Sequence, residues 1–359
     1  MSKVVIAGAT GGVGFSAVEH FASLPDWEVV GLSRRPTNEI PGAKLVALDL
    51  SDADACREFA DEHSDATHVV YAALYEKDDL VAGWSAPDQM QTNLDMLRNL
   101  LDPMIAQGNL QHVSVLQGTK AYGIHLEPVP VPARERWPRH QHDNFYWLQE
   151  DYLREKQKNA DWHFTIWRPQ AVFSRGIGAN MNPLSTLGAY GAVLKAAGEP
   201  LHFPGIRPMC VNEATDAELL ARAFAWATTA VTARNETFNI TNGDVMVWQN
   251  VWPVVAESLG MEPAPARPYS FATDLAARGR EWAAIVDEYD LLSPRDLKAF
   301  IGNSDQFLDF TMRTEGAIPP AQMSTIKLRQ AGFGECIDTE DMLRKWFKRY
   351  QDERLLPPV

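Results

Sequence analysis

The chain has 359 residues, and 33 lysines and arginines against 47 aspartates and glutamates give it a formal net charge of −14. So acidic a balance disfavours nucleic-acid binding, which requires clustered cations along the phosphate backbone. Hydrophobic residues make up 45% and charged residues 22% of the chain, which excludes disordered and collagen-like classes. A chain of this length forms one large domain or two small ones.

Cys56, Cys210 and Cys336 lie far apart and show no metal-ligand spacing, so we expect no disulfide framework and favour a reducing compartment. His140 and His142 would lie on opposite sides of a helix with no third ligand, and we expect no metal. No run of 18 apolar residues predicts a membrane span, and the N-terminal apolar run is too short for a signal peptide. We therefore predict a cytoplasmic protein that does not bind membranes.

Short apolar runs alternate with amphipathic segments along the first 120 residues. Strands are predicted at 4–7, 27–32, 44–48, 68–73 and 112–116, and helices at 14–24, 51–62 and 89–104. Later elements are a helix from 144 to about 159, with Asp143 or alternatively Asn144 as its N-cap, and strands at 163–167 and 236–240. This alternation predicts an α/β protein with a Rossmann-like, doubly wound parallel sheet. The region after Trp248 is mostly helical, with proline-rich breaks at 263–268 and 319–320.

A glycine-rich turn directly follows the first predicted strand and opens the first helix. It has the pattern G-x-x-G-x-x-G, in which glycines permit a tight turn and let the backbone approach a pyrophosphate at the helix N-terminus. The predicted cofactor contacts in this turn are Gly8, Thr10, Gly11, Gly12, Val13 and Gly14. The alternative is a turn whose glycines serve only close packing of the helix on the strand.

The end of the second predicted strand indicates which nicotinamide cofactor binds. An NAD site usually carries a carboxylate here for the ribose 2′-hydroxyl, whereas this chain has Ser33 followed by Arg34 and Arg35. Guanidinium groups suit a 2′-phosphate, so we predict NADPH/NADP⁺, unless the arginines are only a solvated surface pair. Asp49, at the end of the third strand, either accepts a hydrogen bond from the adenine amino group or orders its own loop before Ser51.

The usual catalytic signature of short-chain dehydrogenases is Tyr-x-x-x-Lys on one helix face, where the lysine lowers the tyrosine pKa. Tyr146, near the start of the predicted helix, is followed four residues later by Glu150. Tyr152 and Lys156 have the formal spacing but lie farther from the cofactor edge. The serine that usually follows the fifth strand is also missing from residues 116–123.

These departures coincide with other motifs. Lys120 lies within Gln-Gly-Thr-Lys-Ala-Tyr, and Tyr146 lies within Asn-Phe-Tyr-Trp at 144–147. With the paired arginines, Trp-Arg-Pro at 167–169 and the run 235–245, the chain resembles the progesterone 5β-reductase/iridoid synthase-like enone reductases. These form an atypical branch of the extended short-chain dehydrogenases, and the resemblance covers nearly the whole chain.

The resemblance implies NADPH-dependent reduction of the C=C bond of an α,β-unsaturated carbonyl compound, possible homodimers, and Tyr146 and Lys120 as catalytic residues. Further cofactor contacts that it implies are Leu50, Ala72, Gln117, Tyr146, Pro169, Ala171 and Val172. The predicted substrate contacts are Leu74, Tyr75, Phe145, Met181 and Asn182. Leu74 replaces a tryptophan that the family often carries, which leaves the fit of steroid-sized substrates open. Core packing is the alternative role for Phe145, and loop packing for Met181 and Asn182.

We predict an NADP-binding domain over residues 1–175, whose sheet is completed by about 211–244. About 176–210 and 245–359 would form a smaller, mainly helical substrate-binding lobe. The alternative activities are a carbonyl reductase or a nucleotide-sugar epimerase or dehydratase on the same scaffold. A non-catalytic NADP sensor is the alternative from a different functional class.

Overall fold

Strands and helices alternate from the N-terminus onward, and the computed structural model describes residues 1–35, 39–205, 211–313 and 321–359. The strands are β1 (Ser2–Ala7), β2 (Trp27–Ser33), β3 (Ala43–Ala47), β4 (His68–Tyr71), β5 (His112–Leu116), β6 (His163–Pro169), β7 (Val172–Phe173), β8 (Leu201–His202), β9 (Val211–Asn212), β10 (Thr215–Asp216), β11 (Glu236–Ile240), β12 (Met246–Val247) and β13 (Pro263–Ala264). The α-helices are α1 (Gly12–Ala22), α2 (Ala53–Glu62), α3 (Leu80–Gly83), α4 (Pro87–Ala106), α5 (Phe145–Gln157), α6 (Pro183–Ala196), α7 (Ala217–Ala227), α8 (Trp248–Ser258), α9 (Gly279–Glu288), α10 (Leu297–Ile301), α11 (Ser304–Arg313), α12 (Ile326–Gln330) and α13 (Thr339–Asp352).

The central sheet has seven strands in the order β11-β6-β5-β4-β1-β2-β3, and all its neighbouring strands are parallel. β1 lies between β2 and β4. The connection from β1 leads to β2, toward one edge of the sheet, and the connection from β4 leads to β5, toward the other edge. This reversal opens a crevice at the carboxyl ends of the strands, where ligands bind in open α/β folds. The predicted Rossmann-like parallel sheet is confirmed.

Both faces of the sheet are buried, as a parallel sheet requires. Successive residues of β1 point to opposite faces: Val4 and Ile6 pack with apolar residues of α1 and α7, and Val5 packs with those of α2 and α4. The second core also includes Leu153 of α5. The inner strands therefore read as continuous apolar runs, whereas the edge strand β3 is partly exposed.

A separate apolar core holds the helical part of the chain together, with residues from α6, α8, α9, α10, α11 and α13. Its centre includes Trp282, whose ring stacks on Phe300 with centroids 4.8 Å apart. α13 also contacts the sheet region, because Arg349 binds Glu19 of α1 at 2.6 Å. The predicted helical C-terminal region is confirmed, whereas the exact domain boundaries stay a prediction.

Most predicted elements agree with the structure to within two residues. The cap of α5 is Asn144, whose side chain accepts a hydrogen bond from the Tyr146 N–H. Asp143 as the cap is therefore wrong, and the alternative is confirmed. Cys56 and Cys336 are free thiols, while Cys210 and the predicted break at 319–320 lie outside the described residues. In the described part of the chain, no helix is both long and apolar enough to cross a membrane.

Candidate active site

The glycine turn lies in the crevice between β1 and β4. Gly8 has a φ of +84°, and a Cβ atom there would lie 2.8 Å from the Ala72 carbonyl oxygen of the neighbouring loop. A Cβ atom on Gly14 would lie 2.1 Å from the Gly8 carbonyl oxygen. Close packing thus requires glycine at both positions, whatever else the turn binds.

The start of α1 is nevertheless suited to an anion. Its N-cap is Gly11, which supplies no side-chain acceptor to the first turn, and that turn contains no acidic residue. Several backbone N–H groups at a helix start therefore point outward with a partial positive charge. The Thr10 and Ser33 hydroxyls lie 2.8 Å apart, so the turn after β1 is tied to the end of β2.

The residues predicted to bind the adenosine part of the cofactor are exposed. Arg34 and Arg35 are both exposed, and the Arg35 N–H donates to the Ser33 hydroxyl at 3.3 Å. Asp49 Oδ1 accepts from both the N–H and the hydroxyl of Ser51, at 2.9 and 2.7 Å. These hydrogen bonds hold the pKa of Asp49 below its usual range. Asp49 therefore orders its own loop, and its role toward adenine stays a prediction.

Lys120 and Tyr146 belong to different segments of the chain, and hydrogen bonds of the Asn144 side chain connect these segments. Lys120 lies in a 3₁₀ turn after β5, Thr119–Tyr122, and Tyr146 is in the first turn of α5. Asn144 Oδ1 accepts from the Tyr146 N–H at 3.0 Å, and Asn144 Nδ2 donates to the Lys120 carbonyl oxygen at 3.2 Å. The asparagine of the Asn-Phe-Tyr-Trp motif thus caps the helix and holds the lysine turn against it.

The Tyr146 side chain is buried against the loop after β5. A Cβ atom on Gly118 would lie 3.3 Å from the Tyr146 hydroxyl oxygen, so glycine leaves room for the phenol. Gln117 Nε2 donates to the Tyr146 carbonyl oxygen at 3.1 Å, and Gln117 Oε1 accepts from Arg168 at 3.3 Å. Burial raises the pKa of Tyr146, which keeps its hydroxyl protonated across the neutral range. Gln117, a predicted cofactor contact, here positions the start of α5.

Two residues that sequence reasoning missed surround the Lys120 ammonium group. Glu76 Oε1 lies 3.7 Å from Lys120 Nζ, and the Glu76 side chain has no exposed surface. The Trp84 ring centroid lies 4.3 Å from the same Nζ. Both residues belong to the segment after β4, far from Lys120 in sequence. No spacing pattern in the sequence relates either residue to Lys120.

The formal Tyr-x-x-x-Lys pair has a different role. The Tyr152 hydroxyl donates to Asp102 Oδ1 at 3.0 Å, and Lys156 Nζ lies 2.6 Å from the same oxygen. Asp102 belongs to α4, so the pair joins two helices outside the strand-end crevice. Glu150 instead forms ion pairs with Arg154 and Arg168.

Comparison with known proteins agrees with this geometry. The model of the "NAD dependent epimerase/dehydratase family" matches residues 4–240. A 3-oxo-Δ4,5-steroid 5β-reductase of Arabidopsis thaliana is 30% identical over 379 aligned residues, covering 99% of this chain and 93% of the relative. An (S)-8-oxocitronellyl enol synthase of Antirrhinum majus is 31% identical, covering 83% of this chain and 81% of that protein. The chain belongs to the progesterone 5β-reductase/iridoid synthase-like branch of this family.

This membership confirms the resemblance stated from the motifs and the prediction of an oxidoreductase. It also supports the coarser cofactor prediction, a nicotinamide dinucleotide. The fold is shared with UDP-glucose 4-epimerases of Thermotoga maritima (TM-score 0.69, 15% identity, 98% of this chain and 99% of that chain) and Thermus thermophilus (TM-score 0.67, 19% identity, 97% and 99%). The extended short-chain dehydrogenase architecture is therefore confirmed.

The predicted substrate residues of this enone reductase-family chain occupy different surroundings. Leu74 and Phe145 pack with Tyr146 in one small apolar cluster, which keeps both the core and the pocket roles open for Phe145. Asn182 caps α6, and its Nδ2 donates to the Ser174 carbonyl oxygen and the Tyr350 hydroxyl, both at 2.9 Å. Loop packing thus occupies the Asn182 side chain.

The remaining predicted contacts lie on loops, at strand ends or in the first turn of α1. The Tyr75 backbone is held by Asn93, whose side chain accepts from its N–H and donates to its carbonyl oxygen, both at 2.9 Å. Met181 is half-buried beside the start of α6. The other predicted cofactor contacts lie in the first turn of α1, after β3 and β4, or at the end of β6 and the start of β7, and they are Val13, Leu50, Ala72, Pro169, Ala171 and Val172. Their contacts with a cofactor stay predictions.

A histidine pair lies beside this site. His140 Nδ1 and His142 Nδ1 are 2.9 Å apart, so the expectation that the two rings point away from each other is wrong, because this segment is a bend rather than a helix. Asn144 Nδ2 lies 3.1 Å from His142 Nε2. In residues 1–35, 39–205, 211–313 and 321–359, no group of three or more His, Cys, Asp or Glu is arranged to hold a metal ion.

Proposed function

We propose that this protein is an NADPH-dependent enone reductase that reduces the C=C bond of α,β-unsaturated carbonyl compounds. The observation that carries the proposal is the pairing of Lys120 and Tyr146, which Asn144 joins after the carboxyl end of β5. Steroid 5β-reductase and (S)-8-oxocitronellyl enol synthase are the names of its relatives, and both are consistent with this class of substrate.

The residues present fit a phosphorylated dinucleotide. The pyrophosphate would bind at the start of α1, where Gly11 supplies no competing side-chain acceptor. Arg34 and Arg35 would hold the 2′-phosphate, with Ser33 fixing the backbone between them and the glycine turn. When bound, the reduced nicotinamide supplies the hydride that adds to the β-carbon of the substrate.

The protein's own groups stabilise the charge that develops on the substrate. As the β-carbon gains hydride, negative charge develops on the carbonyl oxygen, and a hydrogen-bond donor there lowers the barrier. Tyr146 suits this role because its raised pKa keeps the hydroxyl a donor rather than a base. Lys120 adds a positive field from a buried position, where it is weakly screened. Solvent can protonate the α-carbon, so no Tyr-x-x-x-Lys relay is needed.

The competing dehydrogenase and epimerase mechanisms require a tyrosine that acts as a base. Glu150 occupies the position four residues after Tyr146 and is engaged by arginines. Tyr152 and Lys156 are engaged with Asp102. These contacts favour a role for Tyr146 as a hydrogen-bond donor to the developing oxyanion over a role as a base.

The test is NADPH consumption with 2-cyclohexen-1-one and with progesterone, followed by identification of the product. We expect a saturated ketone and a lower KM for NADPH than for NADH. An allylic alcohol would instead indicate carbonyl reduction, and equal KM values would overturn the NADPH preference. Tight NADPH binding without consumption of any enone would favour the sensor alternative.

Three further predictions rest on the sequence and the resemblance. They are the homodimer, the cytoplasmic location, and the division into an NADP-binding domain and a substrate-binding lobe. Light scattering on the purified chain tests the first, since a monomer at micromolar concentration would contradict it.

A further inference from the structure

A buried carboxylate lies beside the proposed catalytic lysine, and the reaction described above does not use it. The Glu76 side chain has no exposed surface, and that of Lys120 is 12% exposed. Their closest atoms are 3.7 Å apart, which is an ion pair but beyond ordinary hydrogen-bond distance. Burying two charges is costly unless each compensates the other, so this pairing requires a physical explanation.

The surrounding structure holds the Glu76 carboxylate in place. Gln89 of α4 donates from Nε2 to Glu76 Oε2 at 2.8 Å, and Gln89 Oε1 accepts from the Lys77 N–H at 2.9 Å. Asn93, one helical turn later, holds the backbone of Tyr75 through two hydrogen bonds. α4 therefore fixes the residues on both sides of Glu76 as well as its side chain.

An indole ring also lies against the lysine. The Trp84 ring centroid lies 4.3 Å from Lys120 Nζ, and Nζ itself is buried. Burial lowers the pKa of Lys120, and the nearby Glu76 charge raises it again. Burial in turn raises the pKa of Glu76, and Lys120 opposes this effect. Without the carboxylate, desolvation would act on the lysine unopposed.

The other titratable groups near Lys120 do not compensate its charge. Burial lowers the pKa of His125 to about 4 and also lowers that of His142, so both rings are neutral at pH 7 and above. Burial raises the pKa of Tyr146, which is neutral too, and Glu127 is engaged with His140 on the exposed side of the histidine pair. In the part of the chain that the structure describes, Glu76 is the one carboxylate paired with Lys120.

We propose that Glu76 is a positioning residue of the active site, which keeps Lys120 charged and holds its ammonium group in a fixed place. It acts through Lys120 and does not contact the reacting atoms. Its catalytic consequence rests on the proposed enone reduction, whereas its effect on the charge of Lys120 does not. Gln89 and Trp84 complete the arrangement by fixing the carboxylate and excluding water.

A titration of Lys120 tests the proposal without any substrate. In protein with ¹³Cε-labelled lysine, the Lys120 resonance is assigned by its loss in Lys120→Met, and its midpoint is compared between the wild type and Glu76→Gln. An opposite charge within about 4–6 Å typically changes a pKa by about 1–3 pH units, so we expect the midpoint to fall by that amount. Glu127→Gln, which removes a carboxylate on the exposed side, should leave the midpoint unchanged. An unchanged midpoint in Glu76→Gln would overturn the proposal.

The pH profile of the reaction gives a second readout. The alkaline limb of kcat/KM should move to lower pH in Glu76→Gln, because the lysine loses its proton earlier. Glu76→Asp keeps the charge on a side chain one carbon shorter, so its limb should lie between those of Glu76→Gln and the wild type and differ measurably from both. If Glu76→Gln fails to fold, Glu76→Asp carries the test, because its carboxylate is one carbon farther from Lys120. An alkaline limb of kcat/KM and a Lys120 titration midpoint equal to those of the wild type would then contradict positioning.

If Glu76 had only a structural role, the kinetic effects of its substitution would be different. Glu76→Gln would then lower kcat at all pH values without moving the alkaline limb of kcat/KM, and its effect would add to that of Lys120→Met. Positioning predicts that Glu76→Gln has little further effect once Lys120→Met is present. If the wild type reduces no enone, the proposed function fails, yet the titration still decides the role of Glu76.

Discussion

The two halves of the proposed site are built in opposite ways. At the nucleotide end, a contiguous glycine turn supplies backbone groups, and the charged residues Arg34, Arg35 and Asp49 are exposed. At the reduction end, buried residues come from separate segments of the chain, with the Lys120 turn and the start of α5 held together by Asn144. Exposed charges bind a large anion but are screened by water, whereas a few desolvated groups act strongly on a developing charge. Substitutions should therefore change KM at one end and kcat at the other.

The largest expected effect is at the reduction end. Tyr146→Phe removes the hydroxyl donor from a site where Gly118 leaves room for it, and we expect kcat to fall by about 10²–10³, the typical loss for one oxyanion donor. The affinity for NADPH, measured by fluorescence titration, should fall far less than kcat, because Tyr146 is only one of many predicted cofactor contacts. Tyr289→Phe, at an exposed tyrosine, is the matched control. Near-normal turnover in Tyr146→Phe would refute the donor role.

The next effect tests the nucleotide end. Replacing both Arg34 and Arg35 by alanine should raise KM for NADPH about 10- to 100-fold, since a hydrogen bond to a charged group contributes about 1.5–3 kcal/mol. KM for NADH and kcat at saturation should change little, because neither involves the 2′-phosphate. Arg57→Ala, at another exposed arginine, is the control. An equal rise for both cofactors would show that the arginines do not select between them.

Asn144 contributes both to the stability of α5 and to the placement of the Lys120 turn. Asn144→Ala removes the cap of α5 and the hydrogen bond to the Lys120 turn, so we expect a loss of about 0.5–2 kcal/mol in the free energy of unfolding. We also expect kcat to fall about tenfold, since small misplacements of catalytic groups are costly. Asp338→Ala removes the cap of α13 and should cost similar stability without lowering kcat. Equal kcat losses in both variants would mean that Asn144 acts only through stability.

The sequence predicted the sheet and the nucleotide end because their signals are local. Apolar strand runs, the glycine turn and the residues after β2 each lie in one short segment, and the backbone brings them to one edge of the sheet. The roles of Lys120 and Tyr146 came from the resemblance, since no spacing rule relates residues that a long loop separates.

The missed residues show what local patterns lack. Glu76 and Trp84 meet Lys120 only through the tertiary fold, and nothing in the segment after β4 distinguishes a buried carboxylate from a solvated one. Asn182 shows the converse, because its position suggested a pocket residue while its side chain is occupied by hydrogen bonds within the protein. Both observations depend on burial and hydrogen-bond partners, which cannot be read from spacing.

The smallest expected effect decides between the two roles that the sequence left open for Asp49. Ser51 fixes the carboxyl group through Oδ1 and holds its pKa below the usual range. If Asp49 accepts from the adenine amino group, Asp49→Asn should weaken NADPH and NADH binding alike by a few-fold, because a hydrogen bond contributes about 0.5–1.5 kcal/mol net. Asp61→Asn, at an exposed carboxylate that accepts from Gln107, should not weaken binding. Unchanged affinity for both cofactors in Asp49→Asn would assign the residue to loop structure alone, and would confine recognition at the nucleotide end to the glycine turn and the arginines.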